Sequence, residues 1–243
     1  MWTGLTSEHC HEHSGGTETS CHCWGHRHGW RLCPSLCARP PRGLPRDGNR
    51  PQEPWHLDPK LKEVLHKDFA DCSPLAEALS DQDAAIFCLG TYTGAVSDAE
   101  LRKTTVDYTI EFARVLYGSS PNAVFSFLSG SGADQTGQSR MAFARYKGEA
   151  EKALITAGFP RVYMFRPAYI YPVEPRKEPN FSYRLLRTIY PVFRRLFPNQ
   201  VIPADDLSRA MVDVAVRGKL ERESVVLENR EIRAMASTSR PSA

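Results

Sequence analysis

Apolar positions are spread unevenly along this chain, and from residue 59 onward they follow two alternating periods. Residues 84–90 are a continuous apolar run, Ala84 to Leu89, closed by Gly90, the pattern of a strand buried on both faces of a parallel sheet. Residues 97–117 switch to helical spacing. Ser97 stands three residues before Glu100 as a capping box, and Leu101, Tyr108, Phe112, Val115 and Leu116 form one stripe. A second strand follows at 123–128, running into Ser129-Gly130-Ser131-Gly132. Residues 139–157 predict another long helix, stopped by Gly158 and Pro160. Residues 162–165 predict a strand before Arg166-Pro167, 204–217 a helix with Asp205 near its start, and 224–227 a last strand. Ahead of these, Leu61, Val64 and Leu65 sit among charges in a short segment ending at Asp68-Phe69. Residues 73–79 read as a short helix with Ser73 as N-cap and Pro74 at the first helical position.

Strands that alternate with helices fold as a doubly wound parallel sheet, Rossmann-like in layout. Ligands of such sheets bind at the carboxyl ends of the strands, here Gly90-Thr91, Ser129-Gly130 and Arg166-Pro167.

The first 58 residues follow neither period. They contain no Val, Ile, Phe, Tyr or Lys, yet hold all four tryptophans, seven of the eight histidines and five of the seven cysteines. So few aliphatic residues cannot offset the entropy of ordering, and the composition predicts no buried strand. The expected organisation is a disordered or frame-shifted segment over 1–58, a Rossmann-like domain over 59–230 that is incomplete at its N-terminal edge, and a flexible tail over 231–243. A sheet lacking its first strands should leave the strand at 84–90 with an unpaired edge and the product poorly soluble.

Several readings of 1–58 stay open. Cys10, Cys21, Cys23, His22, His26, His28, Cys33 and Cys37 are zinc-ligand types, but Cys33 to Cys37 and Cys21 to Cys23 lack the paired short spacing of a structural site, so no metal ligands are assigned. A frame-shifted translation is the second reading. Trp has a single codon, and moving it by one base forces glycine at positions 24 and 30. The residues between allow Gly-Ala-Thr-Gly-Met-Ala-Gly, a phosphate-binding turn, while Gln52 becomes Lys or Arg, suited to a 2′-phosphate. As written, the chain has no such turn. A natural disordered extension is the third reading.

Charge and hydropathy exclude some functions. A formal net charge of +3 does not argue for nucleic acid, and no run of 18 apolar residues exists to span a membrane. The start lacks a basic stretch followed by an apolar one, so a secretory leader is not expected and the cytoplasm is. Residues 181–197, rich in aromatics and in Arg184, Arg187, Arg194 and Arg195, read as a substrate lid or, alternatively, as a peripheral membrane or partner contact.

Three strings carry a resemblance: Ser129 to Asp134, Lys147-Gly148-Glu149-Ala150-Glu151, and Phe165-Arg166-Pro167-Ala168. Over about residues 59–230 the chain resembles the atypical short-chain dehydrogenase/reductases, in the branch of the HIV Tat-interacting oxidoreductase and its fungal mitochondrial-associated relatives. The resemblance implies NADP(H) binding, hydride transfer to or from a small carbonyl or alcohol, and either a cytoplasmic or a mitochondrial outer-surface location. It implies that Lys147 holds the nicotinamide ribose, that Ser129 (Ser131 as the alternative) hydrogen-bonds the reacting oxygen, and that Asp68, Phe69, Leu89, Gly90, Thr91, Pro167 and Ala168 line the cofactor. The family's acid/base Tyr, four residues before the Lys, is Phe143 here, and Phe has no proton to give. Tyr146, next to Lys147, projects about 100° away and does not replace it. The expected protein is therefore an NAD(P)-binding oxidoreductase relative with impaired catalysis. The alternatives are a non-catalytic NADP(H)-sensing or interaction scaffold, and a metal-binding N-terminal segment on a degenerate domain. Lys147 as a solvated helix residue paired with Glu151, and Ser129 as a turn former, are the bland readings.

Overall fold

The computed structural model describes residues 2–5, 22–25, 61–64, 66–91, 93–94, 96–171, 195–217 and 224–238. Its centre is a parallel sheet of β4 (Ala84–Phe87), β5 (Val124–Leu128), β6 (Arg161–Arg166) and β9 (Ser224–Glu228), paired in that order. Phe87 stands opposite Phe127, Phe127 opposite Met164 and Met164 opposite Val226, so the carboxyl ends of all four strands lie along one edge. All of β4 is buried, as its unbroken apolar run predicts for a strand covered on both faces.

One helical run covers the first face: α1 (Asp98–Arg102), a π-helical turn (Lys103–Asp107) and α2 (Tyr108–Ser119). The Ser97 side chain accepts the Glu100 N–H, the cap read from the sequence. The π turn places Thr104, Thr105 and Val106 inward. Beside it lies α3 (Ala142–Thr156), which starts three residues later than predicted because Ser139 and Arg140 belong to the preceding loop. Between these helices and the sheet, Phe87, Phe112, Phe125 and Phe127 pack ring to ring, with Phe87 and Phe112 centroids 4.7 Å apart. The opposite face carries Ala84, Ile86, Val124, Tyr163 and Phe165 and is covered by α4 (Ala204–Arg217) and α5 (Asn229–Thr238). Helices on both faces make the sheet doubly wound, as expected. A second, two-stranded parallel sheet pairs β7 (Tyr169–Tyr171) with β8 (Val201–Pro203); the sequence pattern did not predict it.

Four expectations are corrected. Residues 73–75 form a 3-10 turn and not the start of an α-helix, with Cys72 at the cap position. Residues 231–238 are not a flexible tail: they belong to α5, where Ile232 and Ala236 are buried against the sheet-facing side of α4. The opening segment does supply strands, β1 (Trp2–Leu5) and β2 (His22–Gly25), and β3 (Leu61–Glu63) joins them, giving the order β3-β1-β2-β4-β5-β6-β9. The edge of β4 is therefore paired, by β2. Backbone pairing makes no demand on side-chain type, which is why composition did not reveal it.

The direction of β2 matters more than its presence. It is antiparallel to β4, with Gly25 opposite Ala84 and His22 opposite Phe87. Gly25, the end of β2, thus lies at the amino-terminal edge of the sheet, away from Ser129 and Arg166. The rest of 1–58, with most of its Cys and His, and nearly all of 181–197 lie outside the described residues, so the lid, membrane-contact and metal readings have no structural description. No helix among the described residues is long and apolar enough to cross a membrane.

Candidate functional site

Ser129, Lys147 and the residues after β6 meet at the carboxyl edge of the sheet. Ser129 directly follows β5; its N–H donates to the Phe165 carbonyl (2.8 Å), and Ser131 N–H donates to Pro167 O (2.9 Å). These bonds stitch the ends of β5 and β6 together. Lys147, on the inner face of α3, reaches back to the same point and donates from Nζ to Leu128 O (2.8 Å), with its ammonium 4.6 Å from the centre of the Phe127 ring. It is 6% exposed, so the solvated-helix reading of Lys147 is set aside. Burial pushes its amine down to about 8, against the smaller upward pull of Cys88 and Glu151.

Phe143 lies one turn before Lys147 on the same helix, and its ring rests on Gly130. A Cβ at residue 130 would stand 2.6 Å from the ring tip. The side chain at the position where the resemblance expects an acid/base Tyr thus packs on Gly130, next to Ser129, and brings no hydroxyl. Tyr146 points elsewhere, donating to Asp98 Oδ2 (2.6 Å) on α1.

Sequence reasoning did not foresee the role of Glu151. It is completely buried and accepts four hydrogen bonds: Ser129 Oγ to Oε1 (2.5 Å), Gln135 Nε2 to Oε2 (2.7 Å), and Arg166 Nε and Nη2 to the two oxygens (2.9 and 2.6 Å). Burial by itself would raise this carboxyl; the bonds from Arg166, Ser129 and Gln135 outweigh it and hold the group below the usual carboxylate range. Arg166 also reaches Glu228 Oε1 (3.1 Å) at the end of β9. One signal was legible: Lys147 and Glu151 share a helix face with Ala144, Gly148 and Leu154, and charges within an otherwise apolar stripe need buried partners. Asn229 had no such signal. Its Oδ1 accepts the Ala168 N–H (3.0 Å) and its amide donates to Asn199 O and Val201 O, fixing the segment after Arg166 from sixty-one residues away.

The remaining cofactor positions divide. Phe69 and Leu89 bury their side chains in the core, Phe69 edge-on to His66 at 5.3 Å. Asp68 is exposed and its carboxylate accepts the Ala70 N–H (3.0 Å), a turn bond that needs no ligand. Thr91 and Gly90 fit a ligand better: among the described residues the buried Thr91 hydroxyl oxygen has no hydrogen-bond partner, and none of their atoms lies within 4 Å of a Cβ built on Gly90. Lys147, Thr91 and Gly90 therefore suit a polar group at this edge, whereas the described residues contain no glycine turn there to cradle a pyrophosphate. Among the described residues no cluster of three His, Cys, Asp or Glu side chains could hold a metal ion.

No family model and no curated protein matches the sequence. Solved structures do match. UDP-N-acetylglucosamine 4-epimerase from Bacillus cereus is 14% identical with a TM-score of 0.50, covering 71% of this chain and 70% of its own. UDP-glucuronic acid 4-epimerase from the same organism, in complex with NAD, is 12% identical with a TM-score of 0.51, covering 75% and 67%. The Bordetella bronchiseptica enzyme WbmF, in complex with NAD+, is 12% identical with a TM-score of 0.51, covering 74% and 63%. The chain thus spans roughly two thirds of the length of these proteins. At 12–14% identity the likeness shows the fold, the Rossmann-like α/β fold that these structures share with the chain.

Proposed function

We propose that this chain is a nicotinamide-nucleotide-binding protein of the short-chain dehydrogenase/reductase kind whose hydride-transfer chemistry is impaired, with NADP(H) as the cofactor and a small alcohol or carbonyl as the second ligand. The observation that carries the reading is the buried Lys147, held at the carboxyl end of β5 beside Ser129, with Phe143 one turn away. When bound, the nicotinamide supplies or accepts the hydride. Lys147 uses one N–H on Leu128 O and has two more for ribose hydroxyls, and the Thr91 hydroxyl needs a partner of the kind a ribose or phosphate provides. Phe143 can neither give nor take a proton, so a reacting oxygen gains no general acid from α3.

The test is calorimetric titration of the full chain with NADPH, followed by NADPH consumption against a panel of small ketones and aldehydes. Saturable binding with turnover near background is expected. Phe143→Tyr should then raise turnover by about 10²-fold, the lower range of what a positioned acid contributes. Absence of NADPH binding would sink the reading. Binding without any gain in Phe143→Tyr favours the non-catalytic cofactor-sensing alternative, which the Phe143 ring packed on Gly130 supports.

A further inference from the structure

A serine hydroxyl has one hydrogen to donate and lone pairs to accept with. At Ser129 the structure decides where that hydrogen goes. Glu151 is gripped on both oxygens by the Arg166 guanidinium, so it is a carboxylate and every contact to it is made by a donor. The Ser129 Oγ to Glu151 Oε1 distance of 2.5 Å is that of an O–H donating to a charged oxygen. Backbone bonds fix the residue in place, with Ser129 N–H on Phe165 O and Ser131 N–H on Pro167 O. The hydroxyl hydrogen is thereby committed inside the protein, and no hydroxyl on α3 replaces it, since Phe143 has no O–H and Tyr146 donates to Asp98, while the free N–H groups of Lys147 are those assigned above to the ribose.

We propose that Glu151, by taking the only hydroxyl hydrogen of Ser129, turns that side chain into an acceptor, so that this edge of the sheet holds a ligand that donates an O–H or N–H, an alcohol in preference to a carbonyl. Glu151 is then a positioning residue acting through Ser129. The inference rests on the reading of this edge as a ligand site and adds the polarity of the ligand to it. A ketone oxygen placed against Ser129 would meet lone pairs with no hydrogen between them, whereas a hydroxyl would complete a chain from ligand to Ser129 to Glu151.

Matched probes test it. Cyclohexanol and cyclohexanone have nearly the same shape and opposite hydrogen-bonding capacity, and each is titrated into the full chain while amide NMR shifts are followed, with NADPH binding measured on the same preparation. Cyclohexanol should bind about fivefold tighter, the contribution of one net hydrogen bond. The preference should vanish in Ser129→Ala. A second measurement needs neither ligand nor variant: the Ser129 hydroxyl hydrogen, shielded by the buried carboxylate, should give a slowly exchanging proton signal. Equal or tighter ketone binding, a preference that survives Ser129→Ala, or absence of the protected hydroxyl signal overturns the inference while NADPH binding keeps the site reading intact. A chain that binds neither probe nor NADPH loses both together.

Discussion

Replacing Lys147 by Met removes a titrating amine from the core while keeping a flexible, unbranched side chain in its place. Lys147 takes up its proton at about 8 in the folded protein, because burial disfavours the ammonium, and at the ordinary 10.5 once the chain unfolds into water. Between those values the unfolded chain binds a proton that the folded chain does not, so this residue makes stability rise with pH. Below about pH 8 both states are charged and folding carries the whole desolvation cost; above 10.5 neither is charged and the cost is gone. At about 1.4 kcal/mol per pH decade the interval amounts to about 3 kcal/mol, most of it recovered by pH 10. Urea unfolding of the native chain and of Lys147→Met at pH 7, 8, 9 and 10 isolates the effect, since the other titrating groups are common to both. The native-minus-variant stability should climb with pH by that amount. The lost hydrogen bond to Leu128 O offsets the curve without changing its slope. A difference that is flat across the range, or that falls, would refute the claim that the ammonium is held against its desolvation cost.

Three other substitutions probe the supports of the site. Gly148→Ala would set a Cβ 1.9 Å from the Asp134 carbonyl oxygen and 2.6 Å from Gln135 N, both backbone atoms, so α3 and the loop must part by more than 1 Å. A loss of about 3 kcal/mol in denaturant unfolding is expected, and a change under half of that would show that the loop yields freely. Arg166→Met leaves the buried Glu151 carboxylate without its counter-charge, which should cost about 3–5 kcal/mol at pH 7 and less in acid, where Glu151 can take a proton; a pH-independent loss in thermal unfolding would contradict this. Asn229→Ala strands the Ala168 N–H and two carbonyls, and about 1–3 kcal/mol should be lost, with faster amide exchange at Ala168 as the local readout. Unchanged exchange there would mean that the segment after Arg166 is held by other bonds.

The doubly wound sheet was legible because its strands and helices obey different periods and each is long enough to show one. The unbroken run through Ala84 and Leu89, the Ser97 cap and the stripe from Leu101 to Leu116 are local signals, and local chemistry suffices to read them. The same locality explains the misses. β7 and β8 are three residues each and pair across thirty residues of chain, and the short 73–75 turn is too brief for a helical period to separate it from an α-helix. Residues 231–238 mix Ile232, Ala234, Met235 and Ala236 with polar residues at the end of the chain, and only packing places Ile232 and Ala236 on one side of α5 and buries both. β1 and β2 escaped notice because main-chain pairing is blind to the absence of Val, Ile and Phe that made the segment look unstructured.

By itself the sequence determined which residues stand at the ends of the strands, Ser129 after β5 and Arg166 at the end of β6, and that Lys147 stands on a helix four residues past Phe143. It could not determine the charge environment that these residues share. Glu151 reads as a surface partner of Lys147 when only helical spacing is known, and the fold instead turns it inward onto Ser129, Gln135 and Arg166. The direction of β2 was equally beyond reach, since strand polarity is fixed by which edge the chain approaches from and not by its composition. Hydrogen bonds and ion pairs between distant segments form only once packing has excluded water from between them, and that is where the donor and acceptor roles at this edge were decided.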